Sequence, residues 1–235
     1  MEVNNWPRII QEWLYPPTCL LCGDDGAGGL DLCRGCMDAL PFNRPACPTC
    51  GLPLPARSPP GVSCGRCQKR PPAFHSAIVP FRYEEPIRYL IHDLKFRGRT
   101  TGARLLGNLL ADALLELDRR PQCLIPVPLH PARYRERGYN QAAEIARIVA
   151  RRLRIPLGLD TCRRIRSTRP QAELSAAERR RNLRGAFEVV DKLDADHVAL
   201  LDDVVTTGST VNELAKTIRA AGATVVDVWA IARAS

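Results

Sequence analysis

An α/β protein with a parallel, doubly wound sheet, preceded by a small cysteine-rich module, is the fold class this sequence predicts, and three observations point there. The last stretch reads as strand, turn, helix, strand: His197–Leu201, Asp202–Gly208, Thr210–Ala221 with Gly222 as its C-cap, and Thr224–Ile231. A βαβ unit of this kind joins parallel strands through a crossover helix. The middle of the chain alternates short apolar runs with segments of helical period. Residues 1–72, in contrast, are rich in Cys, Pro and Gly and hold four Cys-x-x-Cys pairs.

At 235 residues and 45% hydrophobic content, the chain suits one domain of average size plus an accessory module. The boundary falls at Arg70-Pro71-Pro72-Ala73, giving a first unit over 1–72 and a second over 73–235. No apolar run approaches the roughly 20 residues that span a bilayer. The N-terminus carries Glu2 and Glu12 and lacks a basic start and a small-residue cleavage site, so it is a poor signal peptide. It reads as a short amphipathic helix begun at Asn5 with Pro7 in its first turn, packing Ile9, Ile10, Trp13 and Leu14 on the body. A cytoplasmic, reducing location is expected, where ten cysteines mean metal or chemistry before disulfides.

Within the second unit a strand is expected near Ala77–Arg82 and a helix over Pro86–Leu94. A longer helix over Gly102–Leu117 puts Leu105, Leu106, Leu109, Leu110, Ala113 and Leu114 on one face. The apolar run Cys123–Val127 is a short buried strand. A loop follows, then a helix from Asn140, its N-cap or a ligand, to about Leu153. A strand is expected near Ile155–Leu159. Cys162–Gly185, with eight arginines and weak periodicity, reads as a long loop. Thr210 and Glu213 have capping-box spacing.

The four pairs are Cys19/Cys22, Cys33/Cys36, Cys47/Cys50 and Cys64/Cys67. A two-residue gap lets two thiolates from one turn bind a tetrahedral zinc, and glycine after the second cysteine (Gly23, Gly51) relaxes the backbone there. Eight cysteines make two structural Zn²⁺ sites of four thiolates each. The simplest pairing is sequential; the spacing also permits a cross-brace of first with third and second with fourth. A segment this poor in apolar residues folds with the metal, not before it. Cys123 and Cys162 lack partners at ligand spacing, and Cys123 reads as a small core residue.

His197 to Thr210 brings two acids, Asp202 and Asp203, to the end of an apolar strand, where a Thr/Gly/Ser turn opens a helix. Amides from Thr206 to Ser209, backed by the helix N-terminus, suit a phosphate. The hydroxyls of Thr206, Thr207, Ser209 and Thr210 add donors, and Gly208 allows close approach. The carboxylates repel that phosphate and are placed to accept hydrogen bonds from vicinal hydroxyls. Donors for phosphate and acceptors for hydroxyls, side by side, describe a ribose 5-phosphate. Charge distribution agrees: residues 133–184 hold fifteen arginines and five acids, whereas residues 185–235 hold four basic residues and eight acids.

This segment resembles the phosphoribosyl pyrophosphate (PRPP) loop of type I phosphoribosyltransferases, and the whole chain resembles the ComF/GntX family of competence and DNA-utilisation proteins. The markers are the paired cysteines, Lys95 in Leu-Lys-Phe-Arg-Gly, Val127-Pro128-Leu129-His130 leading to Arg137-Gly138-Tyr139-Asn140-Gln141, and Arg169-x-Gln171-x-x-Leu174 with Arg181-Asn182. The resemblance implies a parallel, doubly wound phosphoribosyltransferase-like domain after a double zinc ribbon. It implies that Asp202 and Asp203 anchor the ribose while Thr206–Thr210 hold its phosphate. Mg²⁺ would accompany PRPP, with Lys95, Arg133 and Arg137 facing the pyrophosphate. Arg169, Gln171, Arg181 and Asn182 would belong to a hood closing over the site. His130 is expected to hydrogen-bond within its loop, not to act as a base.

Two functions compete. One is a PRPP-dependent phosphoribosyltransferase linked to competence and DNA utilisation. The other is a non-catalytic single-stranded nucleic-acid-binding or adaptor protein that works with DNA-uptake proteins and keeps a vestigial or regulatory PRPP site. Residues 1–80 hold seven basic and six acidic residues, so single-stranded DNA is expected to meet the arginine-rich region, not the ribbons. Transcriptional control through the ligand ranks last, because no helix-turn-helix is evident. The acceptor is not legible.

Overall fold

The structure, a computed structural model, describes residues 16–97, 100–166, 183–190 and 192–234. The expected N-terminal helix and the hood residues Arg169, Gln171, Arg181 and Asn182 lie outside the described residues.

Two five-residue helices, α1 (Arg34–Asp38) and α2 (Gly65–Lys69), mark the cysteine-rich module. The body then runs β1 (Ser76–Ile78), β2 (Phe81–Arg82), α3 (Ile87–Arg97), α4 (Thr100–Ala113) and β3 (Cys123–Pro126). It continues with α5 (Pro131–Arg137), α6 (Gln141–Leu153), β4 (Cys162–Arg164) and β5 (Phe187–Val189), and closes with β6 (His197–Val205), α7 (Ser209–Ala220) and β7 (Val225–Arg233).

The main sheet has the order β1-β7-β6-β3, with β2 also on β7, and every pairing in it is parallel. Parallel strands are covered on both faces, which is why β6 and β7 are apolar almost throughout. Alternate residues point to opposite faces. On one side Ala199, Leu201, Trp229 and Ile231 meet α3, α4 and α6, together with Cys19, Leu32 and Leu40 of the module. On the other, Val198, Leu200, Val226 and Val228 meet α7, Phe187 and the remaining cysteine pairs. Helix α6 shows why such segments are helical: Ala142, Ile145, Ala146, Val149, Ala150 and Leu153 recur every three or four residues and are buried, while Arg147, Arg151 and Arg152 stay outside. Burying a side chain such as Ile145 is worth about 1.5–3 kcal/mol.

Several elements depart from the sequence expectation. Ile155–Leu159 makes only a bridge, Leu157 to Leu124, because Arg154 turns the chain in the left-handed region and Pro156 has no N–H to continue a ladder. The expected loop before Asn140 contains α5. Pro131 stands in its first turn, the His130 ring nitrogen accepts from the Ala132 amide at 3.2 Å, and Gly138 ends it at φ 84°. The expected loop Cys162–Gly185 opens instead with a strand: Cys162–Arg164 forms β4, which pairs antiparallel with β5, and residues 167–182 lie outside the described residues. Thr210 and Glu213 form no capping box: Gly208 is the N-cap, and Glu213 accepts instead from the Gly185 amide at 2.9 Å and from Lys216 at 3.1 Å. Strand β6 runs through to Val205, so both acids belong to its last residues and not to the turn.

Candidate functional site

The sulfurs of Cys19, Cys22, Cys33 and Cys36 lie within 4.8 Å of one another, and so do those of Cys47, Cys50, Cys64 and Cys67. The pairing is therefore sequential. Amide-to-sulfur hydrogen bonds support each set, from Cys36 to Cys33 at 3.4 Å and from Cys64 to Cys47 at 3.2 Å. Burial pushes the Cys47 thiol up, but backbone amides of Cys64, Cys50 and Thr49 outweigh it and bring the group down to about 6. Four converging thiols with amide support fit a structural Zn²⁺ at both positions. Gly51 takes φ 67° in the turn after Cys50, and a Cβ there would meet Val79 at 2.7 Å, so only glycine fits. All four cysteines of the second site are buried, whereas Cys22 of the first is exposed.

At the carboxyl end of the sheet, where ligands of such folds sit, a cavity of about 250 Å³ is lined by Asp202, Asp203, Thr206, Gly208, Ser209 and Thr210. Lys95, Gln141, Tyr83 and Arg164 line it too. Helix α3 brings Lys95 into an ion pair with buried Asp203, and α6 brings Gln141 Nε2 to Asp203 Oδ1 at 3.3 Å. Asp202 Oδ1 accepts from the Asp203 amide at 2.9 Å. These neighbours split the two acids. Burial, then the charge of Asp203, raises the Asp202 carboxyl well above the carboxylate range. For Asp203 burial is outweighed by the Lys95 ammonium, and its carboxyl is lowered. The Lys95 ammonium, penalised by burial, is raised in turn by the Asp203 charge.

The turn between β6 and α7 is built by Gly208, at φ 74°, a conformation that disfavours other side chains. Thr207 and Ser209 join their hydroxyls at 2.8 Å. The carbonyls of this turn are held from behind. Arg66 donates to Thr207 O at 2.6 Å, and the buried Arg233 donates to Val205 O at 2.9 Å and to Thr206 O. A trans peptide directs its N–H opposite its carbonyl, so the amides of Thr206, Thr207 and Gly208 point away from the two arginines.

The Arg137-to-Gln141 run frames the same acids. Arg137 donates to Gln141 Oε1 at 2.5 Å and lies over the Phe96 ring at 5.7 Å, so Gln141 links it to Asp203. The Tyr139 hydroxyl donates to Leu94 O, beside Lys95. Asn140 is a cap: its oxygen accepts from Ala142 at 3.1 Å and its nitrogen donates to Val127 O at 3.0 Å. Arg133 is exposed on α5 and close enough to Arg164 to lower that guanidinium, though burial is the larger cause.

Sequence reasoning missed Tyr83, Gln141, Arg164, Arg66 and Arg233 as site residues. Arg233 left a signal, a single cation ending a strand otherwise buried and mostly apolar; Gln141 stood in a motif already noted. Arg164 was hidden among seven other arginines of its segment. It also lines a second cavity of about 590 Å³, bounded by α5, α6 and β4, that adjoins the first at Pro128 and Leu129.

Residues 10–68 match the double zinc ribbon domain family. The DNA utilization protein YhgH of Escherichia coli O157:H7 is 37% identical over 224 residues, covering 93% of this chain and 97% of that protein. Competence protein F of Haemophilus influenzae is 36% identical over 211 residues, covering 86% and 90%. The chain belongs to the YhgH/competence protein F family. A YhgH protein of Salmonella typhimurium, 35% identical over 93% of this chain, agrees. The family resemblance drawn from the cysteine pairs and the Arg137–Gln141 run is thereby shown. Among solved structures, a glutamine PRPP amidotransferase from B. subtilis complexed with ADP and GMP aligns at 22% identity and TM-score 0.36, covering 55% of this chain and 25% of that one. No helix among the described residues is long and apolar enough to cross a membrane.

Proposed function

We propose that this YhgH/competence protein F member binds the 5-phosphoribosyl group of PRPP and transfers it, with release of pyrophosphate, to a nitrogen nucleophile. One observation carries this reading: the acid pair at the end of β6 and a turn whose carbonyls are clamped from behind line the same cavity. The turn amides and the hydroxyls of Thr206, Ser209 and Thr210 would hold the 5-phosphate. Asp202 would accept from the ribose hydroxyls, while Asp203, fixed by Lys95 and Gln141, sets its position. In the transfer, the bond from ribose C1 to the pyrophosphate oxygen breaks, the pyrophosphate keeps the electron pair, and the nucleophile bonds to C1 and loses its proton. No covalent enzyme intermediate is needed, so positioning and charge supply the rate. Carboxylate oxygen and phosphate oxygens are the ligand set Mg²⁺ takes, with several waters retained, so Asp202 is the residue to hold it. The metal would neutralise the departing pyrophosphate. Arg164 lines both cavities and would face the transfer path, and the larger cavity would receive the acceptor.

Calorimetric titration with Mg²⁺ and PRPP tests the reading. Wild type is expected to give saturable heat and the Asp202→Asn/Asp203→Asn protein none; no heat from wild type, or equal heat from both, contradicts it.

A second reading, single-strand nucleic-acid binding, is favoured by one feature. Phe96 is 66% exposed with Arg137 over its ring, and Tyr134 is 51% exposed at the rim of the larger cavity. Exposed rings among arginines suit stacked bases. Anisotropy of a labelled oligothymidine is expected to fall with salt and to weaken about tenfold in Phe96→Ala; unchanged binding in that variant sinks this reading.

A further inference from the structure

Both halves of the second cysteine site reach the 206–210 turn, and the first site does not. Arg66 lies between the ligands Cys64 and Cys67, and its guanidinium donates to Thr207 O at 2.6 Å. Arg233 bridges from the other half, with Nε donating to Cys50 O at 3.1 Å and Nη1 to the carbonyls of Val205 and Thr206. Arg233 is 3% exposed; its guanidinium donates to neutral carbonyls, including Ala234 O at 2.6 Å, and interacts with the side chain of Cys50. A buried guanidinium needs compensating negative charge. A zinc ion bound by four thiolates is net anionic, and the site that holds Cys50 and Cys64 stands directly behind it. The first site is tied elsewhere: its neighbour Asp31 pairs with Arg104 of α4 at 2.6 Å, on the opposite face of the sheet.

Building on the assignment of the turn as the phosphate loop, we infer that Arg66 and Arg233 are positioning residues that couple the second zinc site to that loop. The zinc-bound knuckles fix the two guanidiniums, the guanidiniums hold three consecutive carbonyls, and the carbonyls aim the amides outward. Zinc at Cys47, Cys50, Cys64 and Cys67 is therefore part of the ligand site, whereas zinc at the first site stabilises only its own module and the α4 face.

Amide hydrogen exchange of the ligand-free, full-length protein, with zinc content measured on the same samples, tests this. Arg66 is exposed and is not a ligand, so Arg66→Ala is expected to retain two zinc ions per chain. Its exchange should be about tenfold faster in peptides covering 206–210 and unchanged elsewhere, the size expected for losing one charged hydrogen bond. Arg66→Lys should recover part of the protection, and Arg104→Ala should leave the turn untouched. Inorganic phosphate should in turn raise the equilibrium affinity of one zinc site of the two, read as zinc occupancy in competition with a chelator, because coupling between binding free energies is reciprocal. Unchanged exchange at the turn in Arg66→Ala, or an equal effect from Arg104→Ala, overturns the inference. Should Arg66→Ala lose zinc, the chelator competition on wild type decides alone: identical zinc occupancy with and without phosphate overturns it. Faster turn exchange in Arg66→Ala, with a wild type that binds no PRPP, upholds the coupling and rejects the phosphoribosyl reading.

Discussion

Lys95 is ion-paired with Asp203 at the floor of the cavity, with side-chain exposures of 23% and 5%. That contact makes two adjacent aspartates unequal: one is held ionised and fixed, the other is left to face the cavity.

Removing one partner of a pair this buried strands the other charge, at about 3–5 kcal/mol. Lys95→Met is expected to lower unfolding stability by roughly that amount in urea titrations, and Lys95→Met/Asp203→Asn to recover most of it. A single variant as stable as wild type would show that the pair contributes nothing.

The Asp202 carboxyl, raised to about 8 by burial and by the charge of Asp203, faces Lys95 and Arg164 as well. A raised acid favours the folded state while protonated. Its contribution is complete below the ordinary aspartate value and is lost as pH rises through about 8. Stability of the ligand-free protein should decline over that window, and Asp202→Asn should remove the decline. Hydroxyl donors and Mg²⁺ both favour the ionised form, so binding of Mg²⁺ and PRPP should release a proton, read as a dependence of calorimetric heat on buffer ionisation enthalpy. Heat independent of buffer contradicts this.

Much of this was legible beforehand because each signal was local. Four Cys-x-x-Cys pairs declare their ligands, and the Asp202-to-Thr210 run declares a strand, an acid pair and a loop within a few residues. Less visible was whatever depends on elements far apart in sequence. Lys95 stands about a hundred residues from Asp203, so its ion pair with that acid could not be seen in the sequence. Arg233 and Arg66 meet the turn only after the sheet and the ribbon have formed. Helix α5 was legible in part, since Pro131 and Gly138 stand where a helix starts and stops, but its seven residues carry too little apolar periodicity to stand out.

Unequal burial of the two cysteine sites leads to unequal metal release. Cys22 is exposed while all four ligands of the second site are buried, so a chelator is expected to remove zinc in two phases. Cys22→Ser should abolish the faster one, followed by a coloured metal indicator. Near-ultraviolet circular dichroism should then report loss of order in the module, since its folding energy is metal-binding energy. A single phase in wild type would contradict the assignment.

The most direct test compares ribose 5-phosphate with 2-deoxyribose 5-phosphate by calorimetric titration, in wild type and in Asp202→Asn. Wild type is expected to bind the ribose ligand about tenfold more tightly, the size of one charged hydrogen bond, and Asp202→Asn to bind the two alike. Equal affinities in wild type would mean that the acids do not hold the sugar hydroxyls, and the proposed joint grip on one pentose would be wrong.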